Sequence, residues 1–237
     1  MRTEIALKII DHNKKVYDLI TKEFSQTRDK SWPEFEYFKG YLKDGQAVLD
    51  LGCGNGRLLK ILEDFKIDYL GIDNSSNLIK DAKQKWPEYN FKEADILDLS
   101  LLEKKYDLVF MVSALHHIPS KKFREQVINN IRKHLKADGK LLMINWNLWQ
   151  KRYLKYIIKY TLLKLTEPSK EIKEIEGLKI NDLDFQDVFI PFFDKKNIRY
   201  MHAFTENNII NLLEKNGFEI IKNVSNTRNI ITTAKLK

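Results

Sequence analysis

The 237 residues are 43% hydrophobic and 31% charged, which excludes an intrinsically disordered chain and supplies one sizeable domain with a core. A formal charge of +8 suits a polyanionic partner such as nucleic acid, although a lysine-rich composition produces the same figure with no partner behind it. The single cysteine, Cys53, excludes an intrachain disulfide, and no run approaches the roughly 18 apolar residues of a bilayer span, so a soluble cytoplasmic protein without membrane contact is expected.

The opening stretch MRTEIALKII lacks the apolar core of a signal peptide. Ile5, Ile9, Ile10, Val16, Leu19 and Ile20 recur at helical spacing over 5–24, and Pro33 restricts Trp32 away from helix. An N-terminal helical cap is therefore predicted, followed by an approach segment, EFSQTRDKSWPEF, that carries Phe24, Arg28 and Trp32. The apolar run over 47–51 reads as a buried parallel strand feeding a glycine-rich turn, with a helix from Arg57. Alternation continues: strand 69–72, helix 78–85, strands 90–92 and 107–112, helix 121–135 stopped by Gly139, strand 140–144.

Such alternation predicts an α/β fold, doubly wound, with ligands at the carboxyl ends of the strands. Beyond Trp146, NLWQKRYLKYIIKYTLLKL reads as a basic and aromatic amphipathic helix that opens an insertion. Thr205 caps a helix to about Asn216, Gly217 stops it, and FEIIKNV and RNIITTAKL form a closing pair of strands. With no repeat and no low-complexity linker, the chain reads as a single domain: cap 1–44, cofactor core 45–146, insertion 147–204 and closing elements 205–237.

LDLGCGNG puts Gly52, Gly54 and Gly56 directly after a strand, where missing side chains let the backbone approach a ligand. Asp50 ends that strand, and Asp73 closes the next at about the 20-residue interval where an acidic residue meets a ribose. The pattern is G-x-G-x-G, without a helix-opening pyrophosphate signature or a Ser/Tyr/Lys dehydrogenase set. It resembles the class I methyltransferases, which use S-adenosylmethionine. The resemblance implies a Rossmann-like, mostly parallel seven-stranded sheet with helices on both faces. It also implies Gly52, Cys53 and Gly54 along the methionine part of the cofactor, Asp50 toward its ammonium and Asp73 on the ribose hydroxyls. Asn74 would lie beside the adenine and Asp95 with Ile96 at the adenine amine; Gly56 and Ser113 complete the set.

In MVSALHHIPS, adjacent histidines on an extended segment point to opposite sides, so His116 and His117 do not share a metal, and no metal site is expected. One of the pair packs inward and the other, His117, lines the pocket. A narrower resemblance rests on YDLITKEFSQTRDKSWPEF, VLDLGCGNGRLL, ALHHI, INWNLWQ, DVFIPF and RYMHAFTENNI, which occur in that order. Together they are similar to the tRNA wobble carboxymethyluridine methyltransferases, which form a methyl ester on a modified uridine. This implies Arg28, Trp32, His117, Trp146, Arg199, Tyr200 and His202 around the acceptor. Further implications are tRNA as substrate, a small zinc-containing activator protein as partner, and a monomeric or heterodimeric state.

A carboxylate acceptor is already ionised at neutral pH, so this chemistry requires no general base. Two other readings stay open: a methyltransferase of a quinone or another metabolite, and a catalytically silent relative serving as a binding module. The intact glycine loop with Asp73 speaks against the silent form. The late arginine, tyrosine and histidine, with the positive charge, favour RNA. The basic helix after Trp146 suits RNA phosphates and equally suits packing with a solvated lysine face.

Overall fold

The computed structural model describes residues 1–27, 32–192 and 196–237. The N-terminal cap is α1 (Thr3–Leu19) and α2 (Thr21–Gln26), followed after a 3₁₀ turn by the short α3 (Glu36–Lys39). The predicted 5–24 helix thus breaks at Ile20, where Thr21 Oγ1 donates back to the Tyr17 and Asp18 carbonyls. The core then runs β1 (Ala47–Leu51), β2 (Asp68–Asp73), α4 (Ser76–Lys85), β3 (Asn90–Glu93), β4 (Tyr106–Val112), α5 (Lys121–His134) and β5 (Leu135–Trp146). The helix expected from Arg57 is a five-residue 3₁₀ segment, Arg57–Ile61.

The insertion contributes α6 (Lys151–Thr166), β6 (Asp187–Pro191) and β7 (Ile198–His202); α7 (Glu206–Lys215), β8 (Phe218–Ser225) and β9 (Asn229–Leu236) close the chain. Seven strands form one sheet in the order β3-β2-β1-β4-β5-β9-β8. The pairs β1–β2, β2–β3, β1–β4 and β4–β5 are parallel, and β9 is antiparallel to both neighbours. This is the Rossmann-like class I arrangement. Strand order reverses beside β1, so a crevice opens at the carboxyl ends of β1 and β4.

Each sheet face has its own core. Leu49, Leu51, Val109 and Met111 pack with Val127, Ile131, Ile209 and Leu213 on one side. Val48, Leu108, Phe110 and Leu142 pack with Phe38, Leu59, Ile79 and Ala82 on the other. Burial on both faces is why these strands read as continuous apolar runs. A third core joins Ile5 and Ile9 of α1 to Tyr153, Ile157 and Tyr160 of α6 and to Val188, Phe189, Tyr200 and Met201 of the two-stranded β6–β7 sheet. Cap and insertion are thereby packed together.

Gly139 does not stop α5 as expected. Leu135 already pairs with Tyr106, the register slips before Leu108 meets Lys140, and Gly139 lies inside this irregular stretch of β5. A Cβ there would come within 2.8 Å of the Leu135 side chain, so the glycine answers a packing demand. The closing signals behave as read: Thr205 Oγ1 accepts the Asn208 N–H, the Asn208 side chain accepts the Thr205 N–H, and Gly217 has φ +86°. Among the described residues no helix is long and apolar enough to cross a membrane.

Candidate active site

The glycine loop owes its shape to the strand ends beside it. The Ile72 carbonyl accepts both the Gly52 and Cys53 N–H groups, at 2.7 and 3.0 Å. Gly52 has φ +74°, and a Cβ on it would sit 2.5 Å from that of Ala114, so no other residue fits between β1 and the end of β4. Asp73 ties the loop to the next element: one carboxylate oxygen accepts the Gly54 N–H and the other the Ser75 N–H, both at 2.9 Å. Ser75 caps α4 and donates to Asp18 of α1 at 2.6 Å, which pins the cap against the rim. Burial raises the Asp73 pKa in spite of these donors, and the Asp18 charge adds to the rise.

Asp50, at the end of β1, is 1% exposed. Tyr69 donates its hydroxyl to one carboxylate oxygen at 3.0 Å, while the other oxygen has no hydrogen-bond partner. Burial pushes the carboxyl up to about 7; the Tyr69 bond opposes this and the Asp73 charge reinforces it. Asp50, Gly52, Cys53, Gly54, Asp73, Asn74, Asp95, Ile96 and Ser113 all line one cleft. Its empty space is about 1170 Å³ with the open mouth included, enough for a nucleotide-sized ligand. Asp95 braces its own corner by accepting the Leu97 N–H at 2.9 Å.

The opposite wall is aromatic and cationic. The Arg199 guanidinium lies 4.0 Å from the Phe192 ring centroid and 4.8 Å from that of Trp146. Arg199 is 3% exposed, its Nε has no partner, and among the described residues it meets no carboxylate. Its Nη1 donates to the Tyr17 hydroxyl oxygen at 2.8 Å, and Tyr17 stands 2.8 Å from His117 Nε2. His117 Nδ1 faces the Tyr200 carbonyl at 3.1 Å and so carries the proton. Nε2 is then the acceptor for Tyr17. Burial and the Arg199 charge hold His117 near 3, which keeps the ring neutral and this chain of bonds in one direction.

Trp146 donates its indole N–H to Ser113 at 3.1 Å, and Ser113 holds a φ of +57° at the end of β4. Trp32 lines the same cleft, with the Arg57 guanidinium 4.5 Å from its ring centroid. Arg28 lies outside the described residues.

Four expectations are corrected. His116 and His117 sit on a 3₁₀ turn with ring centroids 4.5 Å apart, and both line the cleft, because such a turn sets neighbours about 120° apart where an extended strand would send them to opposite faces. Tyr200 and His202 do not reach the cleft. In β7 alternate residues face opposite ways, so the face that presents Arg199 turns Tyr200 and His202 inward. There both donate to Asp187, at 2.6 and 2.7 Å. Gly56 is absent from the lining as well; a Cβ on it would meet Trp86 at 2.7 Å, so it serves packing.

The sequence reading missed Tyr17 and Asn13. Asn13 accepts the Tyr200 N–H and donates to its carbonyl, at 2.9 and 3.1 Å, which fixes β7 against α1. The signal was present: an asparagine inside the apolar stripe Ile9, Asn13, Val16, Ile20 needs buried partners.

Residues 48–139 match a family model described as a methyltransferase domain. The cofactor core thus has the sequence pattern of a methyltransferase domain. This domain shares its fold with a solved S-adenosylmethionine-dependent methyltransferase from Methanosarcina mazei at a TM-score of 0.68 and 20% identity, over 86% of this chain and 97% of that one. A glycopeptide N-methyltransferase solved with S-adenosylmethionine aligns at a TM-score of 0.59 and 15% identity, over 88% of each chain.

In sequence, the chain is similar to the tRNA (carboxymethyluridine(34)-5-O)-methyltransferase of Saccharomyces cerevisiae, 34% identical over 147 residues. That match takes in 62% of this chain and only 52% of the yeast protein. The Schizosaccharomyces pombe protein of the same name is 26% identical over 222 residues, 88% of this chain and 89% of its own.

Proposed function

We propose that the protein transfers a methyl group from S-adenosylmethionine to the carboxylate of a carboxymethylated wobble uridine in tRNA, forming a methyl ester. The observation that carries this reading is the polarity of the cleft. Asp50 presents a carboxylate oxygen with no partner, and Arg199, lining the same cleft, presents a buried guanidinium that meets no carboxylate among the described residues. Buried unpaired charges are strongly unfavourable, so such a pair in one cleft points to ligands that answer both.

The cofactor end fits S-adenosylmethionine on this chain's own atoms: the orphaned Asp50 oxygen suits an ammonium, and the loop from Gly52 to Gly54 offers bare backbone. Asp73 would take the ribose hydroxyls, with Asn74, Asp95 and Ile96 around the adenine and Ser113 on the methionine side. When bound, the cofactor supplies a methyl group already activated on a sulfonium. The chain's residues then need only align the acceptor and keep water away.

Arg199 is suited to hold the acceptor carboxylate, since its Nε has no partner while Nη1 is held by Tyr17. Trp32, Trp146 and Phe24 wall the space, and neutral His117 keeps Tyr17 oriented toward Arg199 without adding charge. Resemblance to enzymes of this kind brings in a small zinc-containing activator as partner, to be read from activity gained on its addition.

Purified protein, alone and with such an activator, should transfer labelled methyl to tRNA bearing carboxymethyluridine, as an ester labile to alkali. Arg199→Met should abolish this transfer and leave cofactor binding within about twofold. Transfer to a metabolite pool with none to any tRNA would refute the proposal.

A further inference from the structure

The helix that opens the insertion carries more charge than its packing uses. Between Asp138 and Glu167 the chain has no acidic residue, yet α6 holds Lys151, Arg152, Lys155, Lys159 and Lys164. Lys164 turns inward to the Leu183 and Asp184 carbonyls. The other four are exposed, and among the described residues none forms a salt bridge. Tyr153, Ile157 and Tyr160 bury the opposite face in the third core.

Helix stability does not explain this arrangement. Lys151, Lys155 and Lys159 follow one another at i, i+4 spacing, where like charges repel. Lys151 and Arg152 also occupy the first turn, which has no acidic residue and no side-chain cap, so they oppose the positive end of the helix dipole. The row runs about 12 Å along the helix at 1.5 Å per residue.

Its cleft end is well defined. Tyr153, in the first turn of α6, stacks on Trp146 at 5.8 Å between centroids, and Trp146 lines the cleft. The cations therefore start one ring away from the acceptor wall and lead outward from it. Of the exposed apolar residues of the same helix, Ile158 falls within the row, between Lys155 and Lys159, while Leu162 and Leu165 lie toward its far end.

We propose that the outer face of α6, from Lys151 to Lys159, is the surface on which the tRNA phosphate backbone docks as the wobble base enters the cleft. The inference rests on the tRNA reading above and adds the face that the RNA uses. A positive row continuous with the site and free of internal counter-charges complements a polyphosphate strand, and the unexplained repulsion within it is relieved when phosphates bind.

The test compares two fourfold variants of equal charge change. One is K151Q/R152Q/K155Q/K159Q; the other is K43Q/K66Q/K105Q/K133Q, whose lysines lie at the amino-terminal end of the sheet strands, away from the cleft. Binding of an unmodified tRNA transcript is followed against salt, so that no methyl acceptor is needed. Each lost phosphate contact lowers the slope of log K against log salt by about 0.7 to 0.9, so the α6 variant should fall by about 3 and the control by less than about 1. Cofactor affinity should stay at the wild-type value in both, and the α6 variant should melt no lower than wild type.

Equal slope losses in the two variants, or an unchanged slope in the α6 variant, would overturn the assignment. So would loss of binding to phosphatidylcholine–phosphatidylserine vesicles in the α6 variant with tRNA binding intact, which would make the face a membrane contact. Wild-type protein that binds no tRNA while methylating a metabolite would instead remove the substrate reading itself.

Discussion

Tyr17 is the residue on which the aromatic and cationic wall of the cleft turns. Its hydroxyl takes a bond from Arg199 and gives one to His117, each at 2.8 Å, so two buried polar groups on different elements share one oxygen. Tyr17→Phe keeps the ring contacts with Phe24 and Phe192 and removes only that link. Leaving two buried groups unanswered should destabilise the fold by about 1–3 kcal/mol. If Arg199 holds the acceptor as proposed, the KM for tRNA should rise about tenfold while the Kd for S-adenosylmethionine stays put. Unfolding in urea and steady-state kinetics check the two halves, and a variant with unchanged acceptor KM would mean that Tyr17 does not position Arg199. Tyr17 opens the YDLITKEF segment, yet its role was not legible, because an aromatic on the apolar stripe of an amphipathic helix reads as core. Arg199 was legible through family resemblance alone, whereas Asp50, Gly52 and Asp73 were legible from the physics of a strand-to-glycine turn.

At the level of elements, the parallel strands were readable because burial on both faces leaves them almost purely apolar, as in β1 and β4. The β6–β7 pair was not, because DVFIP and IRYMH sit amid mixed charge and their pairing partner is non-local. That omission misassigned Tyr200 and His202: without a strand there was no alternation to separate them from Arg199. Their true neighbour is Asp187, which accepts from Tyr200, from His202 and from the Asp184 N–H at 2.7 Å. Asp187→Ala would strand three buried donors and should lower unfolding stability by about 2–4 kcal/mol. Because Asp187 does not line the cleft, cofactor affinity of the folded variant should match wild type. Full stability with lost turnover would return Tyr200 and His202 to the chemistry.

The molecule as a whole carries opposed titrations at one site, and they give its stability a shape in pH. Burial lowers His116 well below 6.5 and holds His117 near 3, so the unfolded chain takes up protons that the folded one refuses. That contribution is present above pH 6.5 and is lost as pH falls through the folded values, at about 1.4 kcal/mol per unit for each ring. Asp50 runs the other way. Its carboxyl, raised from 3.8 to about 7, favours the folded state at low pH, and this benefit is lost as pH rises through about 7. Between about pH 4 and 6.5 the two histidines therefore act against Asp50 and against Asp73, which burial also raises, so the slope of stability with pH should be shallow there before it levels.

Asp50→Asn isolates the carboxyl, since the amide oxygen can keep the Tyr69 bond and cannot ionise. Relative to wild type, the variant should gain about 2–3 kcal/mol more at pH 8 than at pH 5, the part of the titration that lies between. Urea unfolding at the two pH values measures this difference directly, and equal gains at both would show that Asp50 does not titrate with folding. The same variant should bind S-adenosylmethionine at least tenfold more weakly, and wild-type affinity should itself weaken as pH drops below about 7, because an ammonium needs the ionised carboxylate. A substitution that stabilises the fold while weakening the ligand is the signature of a charge kept for its partner, and it is what separates a binding carboxylate from a merely buried one.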